Sequence, residues 1–314
     1  MVEQALGEVE SPFSDIDDKK ICMLGCHEVG AALIPRLLNL GLKFETFVSI
    51  SPDQAKKSSV SGYYDFSSLA KKADNEIRYA EKFNLAGDSD LDFFRKKKFD
   101  LIIQGGWPRL IPEAILKTLT VGALGVHGSA DFLPKGRGRS PKNWSLIQNK
   151  KRFLLQMFLI APGVDDGPVF DFEAFDINKF DDITTLYWKN VLAQEKILLR
   201  SLVSILDGTA SLFPQTGQSD YFEKRSGADG EIDFENMDVH EIYNFVRAQT
   251  RPYPGAFCNI NGLGQVTLWK TQVFDTRLFY PNKSYGEIIA DFEDNLVVNC
   301  RGGLLLITDY ESGR

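Results

Sequence analysis

Of the chain's three histidines, His127 is the one placed for chemistry. It follows the apolar run Val121 to Val126 and opens a loop rich in Gly, Arg and Pro that runs to Pro141. Ligands in open α/β sheets gather at the carboxyl ends of strands, so an imidazole there is in position to take or give a proton near neutral pH. A histidine at a strand end can equally do no more than satisfy hydrogen bonds. Further on, Gly163-Val-Asp-Asp-Gly167 closes the next apolar strand with two carboxylates. Alone, Asp-Asp-Gly is a turn. The two loops follow adjacent candidate strands, however, and that arrangement would bring His127 and Asp165 into one cleft. A carboxylate beside an imidazole fixes its tautomer and favours its charged form, which suits proton transfer.

The cations nearby have two readings each. Arg137 and Arg139, in Gly136-Arg-Gly-Arg-Ser-Pro141, either bind substrate phosphates or pair with carboxylates and pin the loop. Lys224 and Arg225 read as a solvated charge pair or as substrate contacts. Arg247 and Arg251 flank a helix end before Pro252, where they meet a nucleotide or a domain seam; Tyr253 and Phe257 read mainly as packing. His27 sits in a glycine turn whose Gly25 and Gly30 lack the GxGxxG spacing of a dinucleotide site. His240 opens a predicted helix. No His, Cys and Asp grouping has metal-ligand spacing, so no metal is expected.

The elements that must position these residues alternate. Lys20 to Leu24 reads as a strand, Ala31 to Leu40 as a helix ending at Gly41, and Phe44 to Ile50 as a second strand. Residues 51–87 are polar and predict loops with a short helix. A helix over 91–98, strands over 99–104 and 121–126, a helix from 141 to 148, strands over 153–160 and 169–175, and a long helix over 183–206 complete the pattern. It predicts an α/β fold, a Rossmann-like twisted, mostly parallel sheet with helices on both faces. Beyond about residue 210 the texture shifts to Gly, Pro, Asn and short alternating runs, with one helix over 239–249. The expected organisation is an acidic flexible tail over 1–18, a catalytic domain over 19–209 and a smaller β-rich C-terminal domain over 210–314.

Composition narrows the partners. A formal charge of −7 and a pI near 5.2 speak against a long nucleic-acid footprint, which needs a basic face. Cys22, Cys26, Cys258 and Cys300 show no paired CxxC spacing and read as buried, reduced thiols of a cytoplasmic protein. The first eighteen residues lack the apolar core of a signal peptide, and no apolar run is long enough for a bilayer, so no membrane partner is expected.

Several motifs taken together resemble the folate-dependent formyltransferases. They are His127-Gly-Ser, Leu133-Pro, Gly136-Arg-Gly-Arg-Ser-Pro141 with Asn143-Trp144, and Gly163-Val-Asp-Asp-Gly167. Downstream, Lys224-Arg225, Asp229-Gly-Glu-Ile-Asp233 and Arg247-Ala-Gln-Thr-Arg-Pro-Tyr-Pro-Gly-Ala-Phe257 are similar to that family's later motifs. The resemblance covers residues 99–275 well and the first strand and helix weakly. It implies 10-formyltetrahydrofolate as formyl donor and an active site of an Asn-x-His pair plus an Asp, at positions 125, 127 and 165. Residue 125 is Gly here, so that Asn is absent. The resemblance also implies that Trp107, Arg109, Leu110, Ile111 and Pro112, with Asp165, Asp166 and Gly167, wall the pteridine pocket. It implies that Arg137, Arg139, Lys224, Arg225, Arg247 and Arg251 meet the substrate.

Three acceptor readings follow: a nucleotide-linked amino-deoxysugar, as in O-antigen or lipopolysaccharide biosynthesis; methionyl-tRNA; or, without catalysis, a degenerate folate- or nucleotide-binding protein. Acidity and the lack of a lysine-rich segment near the C-terminal strands favour the sugar. A homodimer is implied by the resemblance alone.

Overall fold

The computed structural model describes residues 11–60, 62–278 and 280–312. Strand β1 (Ile21–Gly25) is buried along its whole length, the pattern of a central parallel strand covered on both faces. Helix α1 (Glu28–Asn39) starts where the His27 Nδ1 accepts the Val29 N–H at 3.2 Å, so this histidine is a helix cap. There follow β2 (Thr46–Ser49), α2 (Pro52–Lys57), α3 (Ser67–Lys72), β3 (Glu76–Tyr79), α4 (Asp88–Lys97), β4 (Leu101–Gly105), α5 (Glu113–Leu116) and β5 (Gly122–Ser129). Next come β6 (Arg137–Gly138), α6 (Pro141–Ile147), β7 (Arg152–Leu159), β8 (Val169–Asp176) and α7 (Ile183–Leu206). The last part holds β9 (Tyr221–Phe222), α8 (Val239–Gln249), β10 (Ala256–Ile260), β11 (Gly264–Asp275), β12 (Ile288–Phe292), β13 (Asn295–Cys300) and β14 (Gly303–Ser312).

The main sheet has the order β3-β2-β1-β4-β5-β7-β8. Its first five strands pair in parallel, in register Cys22 with Thr46, Cys22 with Ile102, and Ile102 with Ala123. Strand order therefore reverses between β1 and β4, and the loops after these two strands border the crevice where such sheets bind ligands. The Cys26 N–H donates to the Gly106 carbonyl at 3.1 Å and ties those loops together. Below them Leu24, Val48, Phe94, Phe99, Ile102 and Ile115 form a core cluster, each buried to within 1 %. Burying a side chain of this size contributes roughly 1.5–3 kcal/mol.

The second sheet is antiparallel, in the order β10-β11-β14-β13-β12. Helix α8 lays Val239, Ile242, Phe245 and Val246 into its core beside Leu268, Val298 and Ile307. The Asp238 carboxylate accepts the N–H groups of His240 and Glu241, and Glu241 returns to the Asp238 N–H, a capping box that fixes where this helix begins.

Two departures from the sequence expectations have local causes. Of the expected tail, residues 1–10 lie outside the described residues, but 11–18 are folded: Phe13 and Ile16 are buried, and the Ser11 hydroxyl donates to the Leu40 carbonyl. The polar stretch 51–87 holds two helices and strand β3, with α2 started by a Ser51–Gln54 capping box and Pro52. Two compact units interleave along the chain. One contains residues as far as His127 with Leu155–Glu173 and Asn190–Gln218; the other contains Gly128–Leu154, Ala174–Lys189 and the residues from Ser219 onward.

Candidate active site

His127 lies inside β5, not after it, because the strand runs on to Ser129. Its imidazole is 8 % exposed, and its Nδ1 stands 3.3 Å from the Asp165 carboxylate. The two residues are therefore brought together as their types and spacing suggested. This contact selects the tautomer with Nδ1–H toward the carboxylate, which makes Nε2 the basic nitrogen.

The loop that delivers Asp165 is held from several sides. Asp165 adopts a left-handed backbone, φ 49°, which Asp tolerates better than most side chains. The Gln215 carboxamide donates to the Asp165 carbonyl at 2.7 Å and to the Gly167 carbonyl at 2.8 Å. At Gly167 the backbone passes so close to β7 that a Cβ would lie 1.6 Å from the Leu159 carbonyl oxygen, so only glycine fits. Val164 and Leu110 stay exposed, at 47 % and 54 %.

Strands β5 and β7 run antiparallel. The Ile160 N–H donates to the Ala123 carbonyl, a Cβ at position 125 would meet the Phe158 ring at 2.7 Å, and one at 128 would meet the Leu154 carbonyl oxygen at 2.7 Å. Each step forward on β5 is thus a step back on β7. Position 125 is not an empty notch: the Phe158 ring and the Ile160 side chain already fill the direction a side chain would take, and Phe158 is buried.

After β4, Trp107 and Ile111 turn inward into the core cluster, and Pro112 precedes α5. The Trp107 ring meets Phe83 edge-on at 5.2 Å, and the Arg109 guanidinium lies 4.5 Å over the same Phe83 ring. Asp166 and Gly167 share the loop of Asp165.

The six other basic residues belong to the second compact unit. Arg137 donates to the Tyr221 hydroxyl at 3.3 Å, and the Arg139 N–H bonds the Phe222 carbonyl, so β6 and β9 pair along this loop. Arg225 is not a solvated charge. Its guanidinium sits 5.2 Å from both the Trp144 and the Phe245 rings and bonds Gln249 at 3.0 Å, and burial draws its pKa down. Lys224 beside it is exposed. Arg247 is buried and bonds the carbonyls of Asn178 and Asp181 and the Asn244 side chain. Arg251 lies 4.1 Å over Trp269 and pairs with Asp309 and Glu311, while Tyr253 bonds the Tyr187 hydroxyl at 2.6 Å.

Several residues of interest carried no sequence signal beyond their type. Gln156, 1 % exposed, is the polar residue inside the apolar run of β7. Gln215 lies in a polar stretch that nothing distinguishes. Lys142 lies over the rings of Tyr187 at 5.0 Å and Phe153 at 5.6 Å, and burial pulls its pKa down to about 8. All four cysteines are free and buried, and burial raises Cys26, Cys258 and Cys300 to about 12. Among the described residues no group of three or more His, Cys, Asp or Glu is placed to hold a metal, and no helix is long and apolar enough to cross a membrane.

Comparison with known proteins adds the following. The family model described as "Formyl transferase" matches residues 31–202, and "Formyl transferase, C-terminal domain" matches 224–313. The chain is 30% identical over 284 residues to a bifunctional polymyxin resistance protein ArnA of Wigglesworthia glossinidia brevipalpis, covering 90% of this chain and 41% of that one. The chain thus spans well under half the length of that relative. It is 26% identical over 285 residues to a methionyl-tRNA formyltransferase of Lactobacillus acidophilus, covering 89% of this chain and 88% of that one. Among solved structures, an N-formyltransferase from Helicobacter canadensis with folinic acid and dTDP-3-aminofucose superposes with a TM-score of 0.65 at 17% identity, over 93% of this chain and 100% of that one. That likeness shows a shared fold.

Proposed function

This chain belongs to the formyl transferase family, and from that premise we propose that it moves a formyl group from 10-formyltetrahydrofolate to the amine of a nucleotide-linked amino-deoxysugar. The observation that carries the reading is the His127–Asp165 pair, two ionisable side chains 3.3 Å apart on neighbouring elements at the edge of the parallel sheet. A primary amine attacks a carbonyl carbon only when neutral. His127 accepts the proton that the amine loses as it attacks and returns it to the departing nitrogen; Asp165 orients the ring and stabilises its charged form. One C–N bond forms, one breaks, and the proton count closes without a covalent enzyme intermediate. The donor, when bound, supplies an activated formyl carbon.

The residues present suit a folate. Exposed Leu110 and Val164 offer apolar surface, and the backbone of the 163–167 loop offers polar groups, a donor and acceptor set that fits a flat, polar-edged ring. Arg109, Leu110 and Pro112 would shape one wall, backed by the buried Trp107 and Ile111, with Asp165, Asp166 and Gly167 forming the other. We assign Arg137 and Arg139, on a glycine-rich loop, and the exposed Lys224 to the nucleotide's phosphates, while Arg225 is held between Trp144 and Phe245. The acidic charge and the restraint of Arg247 and Arg251 within their own unit favour a small nucleotide-linked acceptor over tRNA.

The test is a formyl-transfer assay with 10-formyltetrahydrofolate against dTDP-, UDP- and GDP-linked 3-amino and 4-amino deoxysugars and methionyl-tRNA. Release of tetrahydrofolate with one sugar nucleotide and none with tRNA is the expected result. Transfer to tRNA alone would refute the sugar reading, and folate binding without any transfer would leave a binding protein.

A further inference from the structure

The second compact unit carries a cavity of about 680 Å³ between the loop that follows β8, helix α8 and strand β11. Small-molecule sites span roughly 300–1,000 Å³. Arg247 aside, none of the residues lining it belongs to the sets assigned to the folate or to the acceptor. Three cations converge there: Lys179, Arg247 and Lys270, none of which has a carboxylate within ion-pair distance among the described residues. The Arg247 Nε and Nη1 are taken by the Asn244 side chain and the carbonyls of Asn178 and Asp181. Its Nη2 has no partner among the described residues and is not sealed from solvent. Asp181 and Asp182 stand in the same wall, but Lys189 neutralises Asp181 at 2.6 Å. Asp182 is thus the one uncompensated carboxylate, and the lining keeps a positive excess in a chain whose formal charge is −7.

A flat apolar surface adjoins these cations. Phe180 is 81 % exposed, more than any other large hydrophobic side chain among the described residues, and the Lys179 ammonium lies 5.0 Å over its ring. The Tyr243 hydroxyl donates to the Lys179 carbonyl and so ties the Phe180 loop to α8, while the Arg247 guanidinium lies 5.3 Å over the Tyr243 ring.

We propose that this cavity binds a nucleoside phosphate, its base stacked on Phe180 and its phosphate held between Arg247 Nη2 and the Lys270 ammonium. A fixed guanidinium supplies direction, and a flexible ammonium adds charge. Stacking on an aromatic ring accepts any base, so the geometry selects the class of ligand and not its base. The site is separate from the His127–Asp165 pair and holds whichever acceptor is formylated.

The experiment titrates adenosine 5′-monophosphate, adenosine and inorganic phosphate by calorimetry into wild type, Phe180→Ser, Phe180→Tyr and Lys270→Gln. Both positions are exposed, so folding is spared. In parallel, 2-azidoadenosine 5′-monophosphate is photolysed on wild type and its attachment mapped by mass spectrometry. Phe180→Ser should weaken the mononucleotide by about 5–150-fold, the loss of one stacked base. Phe180→Tyr keeps the ring and should stay within about threefold of wild type. Lys270→Gln should cost about 2–5-fold and flatten the salt dependence. The photolabel should attach within residues 178–183 or 240–247. Unchanged affinity in Phe180→Ser would overturn the proposal, as would inorganic phosphate or adenosine binding as tightly as the mononucleotide. Attachment confined to residues 136–139 or 224–225 would also overturn it, by placing the nucleotide where the acceptor's phosphates are assigned. Absence of both heat and label at millimolar nucleotide ends it outright. Failure of the formyl-transfer reading would leave every one of these measurements unmoved.

Discussion

Restoring a side chain at position 125 should harm this protein. In Gly125→Asn the new Cβ would lie 2.7 and 2.8 Å from two Phe158 ring carbons and 2.9 Å from an Ile160 carbon. Ordinary carbon contacts are about 3.5–4.0 Å, so the ring must retreat by about 0.8 Å or more. Phe158 is 3 % exposed and cannot swing into water. Overpacking of this kind costs about 1–3 kcal/mol, which in a chain of this size lowers Tm by about 1.5–4.5 °C. Position 125 does not have a left-handed backbone, so the penalty is steric alone. Urea unfolding of Gly125→Asn, Phe158→Ala and the double variant checks the cause. Phe158→Ala alone should cost about 3–5 kcal/mol by leaving a cavity. The introduced asparagine side chain would reoccupy part of that space, so the double variant should be more stable than additivity predicts by at least about 1 kcal/mol. Unchanged stability of Gly125→Asn, or strict additivity in the double variant, would refute the claim that the two side chains compete for one space.

Three other outcomes follow from the geometry. His127→Ala should lower kcat by about 10²–10⁴-fold while leaving folate affinity within a few-fold, as separate turnover and binding measurements would show. Gln215→Ala removes two bonds to the Asp165 loop, worth about 1–3 kcal/mol together, and should speed amide hydrogen exchange across residues 163–167 while lowering turnover. Lys142 has its pKa drawn down by burial from 10.5 to about 8, so the unfolded chain binds the proton more tightly. Stability should therefore rise with pH between about 8 and 10.5, and the burial penalty is fully present below about 8. Lys142→Met should stabilise the protein at neutral pH by about 1–3 kcal/mol and flatten that rise, measured as Tm against pH.

Much of the main sheet was legible because parallel strands buried on both faces are written as continuous apolar runs, such as Ile21 to Leu24. Helices α7 and α8 fell at the bounds that hydrophobic periodicity set. Strand β3 was not legible: its four residues are exposed or half-exposed, two of them are charged, and pairing to β2, a non-local cause, holds them. Residues 11–18 looked like a tail because two buried side chains, Phe13 and Ile16, are too few to make a pattern. His127 and Asp165 could be singled out since chemistry restricts them to a few residue types near strand ends. The filled space over Gly125 depends on antiparallel register between β5 and β7, which no local signal encodes. The compact units interleave along the chain for a similar reason, since contact and not sequence order decides membership.

The four buried thiols give the protein an internal clock for its own opening. Two of them, Cys22 and Cys26, lie in the first compact unit, and Cys258 and Cys300 lie in the second. A thiol held at about 12 or above carries almost no thiolate at neutral pH, so an alkylating reagent meets no nucleophile until the surrounding structure parts. Mass added in steps of two would then mark one unit breathing without the other, whereas a single jump to four adducts would mean that both open in one cooperative event.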